Sequence, residues 1–243
     1  MLLFTRPLPK LKASALAFEK AGINAVGVAT SDIVTVSSEQ NAAASFLSSN
    51  TVNAIVVTSV YAVEAVVSGL NEASNHSAFV IAVGDATGRK LKAKLTSALA
   101  ANVITPEVHT SEGILAMHQL NEANCRHVVI IKGEGGRDAI AKGLDEKGIL
   151  VNSFSVYKRE QLTRPVYTKR WKMGEVSGII ATSEAMALQL IEQFGNALLA
   201  FPWLTVSDRI AQTLNKKGIT NVAVCQQATD QALIAWVKDN WEY

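Results

Sequence analysis

The chain has 243 residues, 49% of them hydrophobic and 6% aromatic, enough to form a sizeable core without metals or disulfides. Its net charge of +2, from 23 basic and 21 acidic residues, is too balanced for a nucleic-acid or membrane-surface protein. No apolar run reaches the roughly 18 residues of a membrane span, and Arg6 and Pro7 break the Leu2-Leu3-Phe4 stretch too early for a signal peptide; a cytoplasmic protein is expected.

In chain order, short β-branched runs alternate with segments of helical period. Strand Leu2–Phe4 precedes a helix over Pro9–Ala21 with the stripe Leu11, Ala15 and Phe18. Strand Ile23–Val28 precedes a helix over Glu39–Leu47, and strand Ala54–Val57 one over Val60–Leu70. Strand Phe79–Val83 leads to helices over Thr87–Leu95 and Glu112–Glu122. Strand Val128–Ile131 leads to a helix over Arg137–Lys147, and then comes strand Val151–Val156. Strands Gly178–Ala181, Leu204–Val206 and Val222–Val224 alternate with helices over Glu184–Phe194, Arg209–Lys217 and Asp230–Asn240. Gly22, Gly148 and Gly218 stand where a left-handed helix cap is wanted. This alternation implies a mostly parallel, doubly wound α/β sheet.

The strand-helix pairs are too many for one small sheet, and an internal echo points to two. Val57-Thr58-Ser59 leads into an Ala/Val helix, and Ala181-Thr182-Ser183 leads into a similar one. Each is followed by another strand and helix, near Val83-Gly84-Asp85 and Val206-Ser207-Asp208. The best candidates for linkers are the polar, β-leaning, helix-poor stretches Ala29–Ser38 and Ser155–Thr168.

Doubly wound sheets bind ligands beyond the carboxyl ends of their strands, where helix N-termini present free N–H groups. Small polar residues stand at many such junctions: Thr5-Arg6-Pro7, Thr58-Ser59, Gly84-Asp85, Thr110-Ser111, Gly133-Glu134-Gly135-Gly136-Arg137, Thr182-Ser183 and Ser207-Asp208. Taken singly, each reads first as an ordinary helix cap; together they suit a ligand with many carboxylates. Gly133–Arg137 follows a strand and opens a helix, but it is no dinucleotide fingerprint, because Asp138 stands where the third glycine is required. It is a tight turn or a binding loop. Tyr157-Lys158-Arg159 ends a strand, and with Arg164, Lys169 and Arg170 it forms a basic run opposed only by Glu160. That run is either a solvated linker or a positive rim facing an acidic substrate, with Tyr157 as proton donor. The histidines (His76, His109, His118, His127) lack metal-ligand spacing. Cys125 and Cys225 read as buried free thiols. No nucleophile elbow or phosphate loop occurs.

In order, Phe4-Thr5-Arg6-Pro7, Val57-Thr58-Ser59, Ala82-Val83-Gly84-Asp85-Ala86-Thr87, Thr110-Ser111-Glu112-Gly113-Ile114-Leu115, Lys132–Arg137, Val156-Tyr157-Lys158-Arg159 and Ala181-Thr182-Ser183 resemble the uroporphyrinogen-III synthase family over nearly the whole chain. The resemblance implies two flavodoxin-like doubly wound parallel-sheet domains, the second inserted into the first and joined to it by a two-stranded connection. Mapped here, residues 1–35 and 160–243 form domain 1 and residues 36–159 form domain 2. It implies a cyclising lyase of heme and porphyrin biosynthesis, acting in an interdomain cleft. That enzyme closes hydroxymethylbilane, which carries eight carboxylates, to uroporphyrinogen III with loss of water and inversion of ring D. No metal or organic cofactor is implied. The expected state is a monomer, with a transient contact to the preceding deaminase. By motif match Tyr157 is the catalytic candidate. Arg6, Thr58, Ser59, Thr87, Gly133, Gly135, Gly136, Arg137, Thr182 and Ser183 are the substrate-binding candidates. Many family members carry Thr-Ala after the equivalent of Val206, where this chain has Arg209-Ile210-Ala211; Ser207 is the replacement candidate. The residues alone leave one alternative, a non-catalytic two-lobed protein that binds an anionic metabolite.

Overall fold

The computed structural model describes residues 1–71, 77–121, 125–135 and 138–241. The chain divides into two compact units. Unit 1 is Met1–Ile33 with Glu160–Tyr243, and unit 2 is the continuous segment Val34–Arg159 between them.

Unit 1 is a five-stranded sheet. Its strands are β1 (Leu2–Thr5), β2 (Ala25–Thr35), β8 (Gly178–Ala181), β9 (Trp203–Thr205) and β10 (Val222–Val224). Their spatial order is β10-β9-β8-β1-β2, with parallel pairing at each junction. Counted in chain order this is 2-1-3-4-5, the flavodoxin-like arrangement. Alternate residues of each strand feed opposite faces, as a pleat requires. Leu2, Phe4, Ile180 and Leu204 meet α1 (Leu8–Lys20) and α10 (Asp230–Asn240) through Leu11, Phe18, Leu233 and Val237. Leu3, Val26, Ile179 and Trp203 meet α8 (Glu184–Phe194) and α9 (Asp208–Lys216) through Leu190, Ile210 and Leu214. Phe4 stacks on Phe18 at 4.8 Å between ring centroids. The Trp203 indole N–H, fully buried, donates to the Leu198 carbonyl at 3.1 Å.

Unit 2 has the same spatial order with a different chain start. Its strands are β3 (Ala54–Val57), β4 (Phe79–Ala82), β5 (Val103–Ile104), β6 (His127–Gly133) and the first part of β7 (Leu150–Tyr167). They lie β7-β6-β3-β4-β5, and every one of these pairs is parallel. Starting the count at β6 gives 2-1-3-4-5 again, so unit 2 is a circular permutation of unit 1's topology. Ile55, Val57, Val129 and Ile131 face α2 (Ser37–Ser49), α3 (Val63–Asn71), α4 (Asp85–Lys94) and α5 (Ser97–Ala101). Ala54, Val56, Val128 and Ile130 face α6 (Ser111–Leu115) and α7 (Ala139–Asp145).

Both β-leaning linker candidates lie largely in strands. β2 stays extended to Thr35, and β7 runs without a break through the polar stretch 158–167. Backbone pairing holds them: Val36 N–H donates to the Val156 carbonyl at 2.9 Å, and Thr168 N–H to the Gly27 carbonyl at 3.1 Å. The helix expected over Glu112–Glu122 stops at Leu115, with a 3-10 turn at His118–Leu120; Glu122 lies outside the described residues. Lys147 Nζ donates to the Leu115 carbonyl at 2.5 Å, the acceptor that the next helical turn would need. α5 and β5, both short, carry no periodicity signal. Cys125 and Cys225 are free and buried, and burial pushes the Cys125 thiol up. Among the described residues, no helix is long and apolar enough to cross a membrane.

Candidate active site

Each unit has one topological switch point, where successive connections leave in opposite directions and helix N-termini leave a crevice at the strand ends. In unit 2 it lies between β6 and β3; in unit 1 it lies between β1 and β8.

At the unit 2 switch point, β3 is followed by Thr58, whose N–H and hydroxyl both donate to the Ile131 carbonyl of β6, at 3.1 and 3.3 Å. Ser59 opens a turn: its carbonyl accepts from Ala62 N–H at 3.0 Å and its hydroxyl from Tyr61 N–H at 3.4 Å. α3 therefore begins at Val63, not at the expected Val60, leaving Val60 and Tyr61 in the turn. β6 ends at Gly133, and the loop turns through Gly135, which has φ +70°. Glu134 N–H donates to the Tyr157 carbonyl at 2.8 Å. Gly136 and Arg137 lie outside the described residues.

Tyr157 does not end a strand; it lies within β7. The pairing of β6 with β7 slips here, from Lys132 opposite Ser155 to Gly133 opposite Tyr157, so Val156 is an inserted bulge residue. A regular strand sends neighbours to opposite faces, but Val156 and Tyr157 both pack against the α2–α5 side core. The bulge re-aims the tyrosine. Its ring lies directly over Gly133: a Cβ there would stand 2.5 Å from the ring carbons and 2.9 Å from the phenol oxygen. Any larger residue would displace the ring from this place at the carboxyl end of β6. Tyr61 closes another side, with ring centroids 5.6 Å apart and planes tilted by 53°. Nearby, Lys132 pairs with Asp138, and this cation holds the Asp138 carboxyl below the usual range.

At the unit 1 switch point the polar groups are committed inward. Thr182 hydroxyl donates to the Thr5 carbonyl at 3.1 Å, and Thr182 N–H to the Thr5 hydroxyl at 3.3 Å. Ser183 and Ser207 cap α8 and α9, accepting from Met186 N–H at 3.3 Å and Ile210 N–H at 3.4 Å. Arg6, whose side chain is 8% exposed, donates through Nη2 to Asp230 Oδ1 at 2.6 Å and to the Ala228 carbonyl at 2.9 Å. Ser14 completes the cluster, donating to Asp230 Oδ2 at 2.9 Å. Arg6 is thus turned to α1 and α10. In unit 2, Thr87 is buried in the first turn of α4.

The basic run divides. β7 runs against β2, so Lys169 reaches the amino end of the unit 1 sheet, where its ammonium donates to Asn24 Oδ1 at 2.8 Å. Lys169 and Arg170 line an open groove with Trp171 and Lys172. Within unit 1, Lys169 therefore stands apart from the strand ends that carry Thr5 and Thr182. Sequence reasoning missed Tyr61, Lys90 and Asp230, whose partners are 96, 30 and 224 residues away; no local pattern marks such pairs. Among the described residues, no three His, Cys, Asp or Glu side chains group as a metal site would need.

The family model described as uroporphyrinogen-III synthase HemD matches residues 12–235. The chain belongs to that family. It is 27% identical to the uroporphyrinogen-III synthase of Escherichia coli K12 over 157 residues, 61% of this chain and 64% of that protein. It is 27% identical to that of Proteus mirabilis over 116 residues, 46% of this chain and 56% of that protein. The matched stretches span less than two thirds of either relative. Among solved structures, a mutant uroporphyrinogen III synthase from Thermus thermophilus aligns with TM-score 0.58 at 16% identity. The Helicobacter pylori 26695 uroporphyrinogen-III synthetase aligns with 0.56 at 14%. Each alignment covers 98% of both chains. At such identities the likeness shows the fold: mixed α/β with mostly parallel strands.

Proposed function

We propose that this chain closes hydroxymethylbilane to uroporphyrinogen III, as a cyclising lyase. Loss of the terminal hydroxyl as water leaves an azafulvene. Ring D then attacks through its substituted carbon to give a spiro intermediate, which fragments and recloses inverted. The unaided reaction gives the uninverted isomer, so the protein's task is mostly positioning. Tyr157 is the group that protonates the departing hydroxyl. The observation that carries this reading is the bulged tyrosine held over Gly133 at a switch point. Carboxylates of the substrate are met by the Ser59 hydroxyl and by backbone N–H groups around Gly135. Under this reading no cofactor enters the reaction. The reading also makes the chain a cytoplasmic monomer that takes its unstable substrate from the deaminase producing it.

The test is to supply freshly made hydroxymethylbilane and resolve the product isomers. Isomer III is expected, well above the blank rate. Isomer I alone, at the blank rate, would end the proposal and leave a binding protein for anionic metabolites.

A further inference from the structure

We propose that Tyr61 is a positioning residue for the Tyr157 phenol, and that Lys90 fixes Tyr61 from the neighbouring helix. The inference rests on the reading of Tyr157 as proton donor. A tyrosine on a strand can swing about two side-chain bonds. Here Gly133 bounds one side of the ring, and the Tyr61 ring, 5.6 Å away and tilted, bounds another. Tilted aromatic pairs of this spacing attract through ring edges and faces. Without Tyr61, that flank of the Tyr157 ring is unsupported.

Tyr61 itself stands in a short turn between β3 and α3, and a turn needs fastening. Lys90, on α4, donates from Nζ to the Val60 carbonyl at 2.9 Å. The same ammonium stands 3.6 Å from Glu64 Oε1, in the first turn of α3. Lys94, one helical turn along, holds Glu64 at 2.7 Å. The carbonyl next to Tyr61 and the helix start that follows it are both tied to α4. The chain of contacts runs Lys90, Val60 carbonyl, Tyr61 ring, Tyr157 ring, Gly133. Lys90 and Glu64 need not touch a substrate to serve this end. Proton transfer demands hydrogen-bond reach, and small displacements of the donor are costly to rate.

Two arms test the idea. In kinetics, Tyr61→Leu should lower kcat about tenfold with KM within about twofold, while Tyr61→Phe, which keeps the ring, stays within about twofold of wild type. Placed on a Tyr157→Phe background, Tyr61→Leu should cost nothing more, because the group it positions is gone. An equal loss in both backgrounds, or a Phe variant as slow as the Leu variant, would overturn the proposal. The second arm does not depend on activity. The chain has four tyrosines, so 3-fluorotyrosine labelling gives a short fluorine spectrum in which Tyr157→Phe identifies the Tyr157 resonance. Tyr61→Leu and Lys90→Met should each move that resonance; if neither does, Tyr61 does not position Tyr157. Should the wild-type chain make no isomer III, the activity fails by itself, and the fluorine spectrum still decides the positioning.

Discussion

The two units share one strand order but use their switch points differently. In unit 1 the donors there are spent inside the unit, Arg6 on Asp230 and Thr182 on Thr5. In unit 2 the same position in the topology carries a bulge, a glycine pressed under a tyrosine ring, and a second tyrosine beside it. A duplicated architecture therefore does not imply a duplicated role. A junction whose donors already have internal acceptors lends stability; one that holds a phenol against a shaped surface is suited to chemistry.

The largest expected effect belongs to unit 2. Tyr157→Phe should lower kcat for isomer III by about a hundredfold, the low end for a general acid, and leave the urea unfolding midpoint unchanged. Initial rates and unfolding on the same preparation check both halves. If turnover is unchanged, the contrast between the two switch points is lost.

Asp230→Ala should do the reverse. It leaves the Arg6 guanidinium, 8% exposed, without its carboxylate. Breaking a buried pair costs about 3–5 kcal/mol; Asp230 is 28% exposed, so about 2 kcal/mol is expected from urea unfolding. Activity of the folded fraction should be retained. A fall in kcat at full folding would bring Arg6 into the site and merge the two roles.

The smallest effect concerns the tie between α3 and α4. The Glu64 carboxyl lies below its ordinary value of 4.5, chiefly through its hydrogen bond with Lys94 and against the opposing effect of burial. The unfolded chain binds this proton more readily, so the contribution is present above about pH 4.5 and fades as pH falls through the lower folded value. Glu64→Gln should therefore flatten the acid limb of stability slightly as pH falls below about 4.5, and leave stability near pH 7 almost unchanged because the pair is largely solvent-exposed. An acid limb as steep as that of wild type would show that the tie contributes nothing.

Strand positions were legible because buried parallel strands are apolar runs. Ala54–Val57 and Gly178–Ala181 match the expected bounds residue for residue. Helix ends with a side-chain cap or a left-handed glycine were legible too, as at Ser183, Gly22 and Gly218. Polar strands were legible only in part: residues 158–167 read as β-leaning and helix-poor, but they carry no apolar alternation, and pairing holds them extended. The early stop of α6 was hidden, because Lys147 intercepts the Leu115 carbonyl from 32 residues away. At the candidate site, the sequence pointed to Tyr157, Gly133 and Thr58. It gave no hint of the bulge that joins the first two, nor of Tyr61 and Lys90 beside them.

By itself, then, the sequence determined the class of fold, its duplication and the chemical types at the strand ends. These follow from residue spacing and turn chemistry, which act within a few residues. The tertiary structure alone decided which of those groups are already consumed internally and which way Tyr157 points. Both depend on partners tens to hundreds of residues distant, and a one-residue slip in strand register, invisible in any local pattern, reverses the face of every side chain that follows.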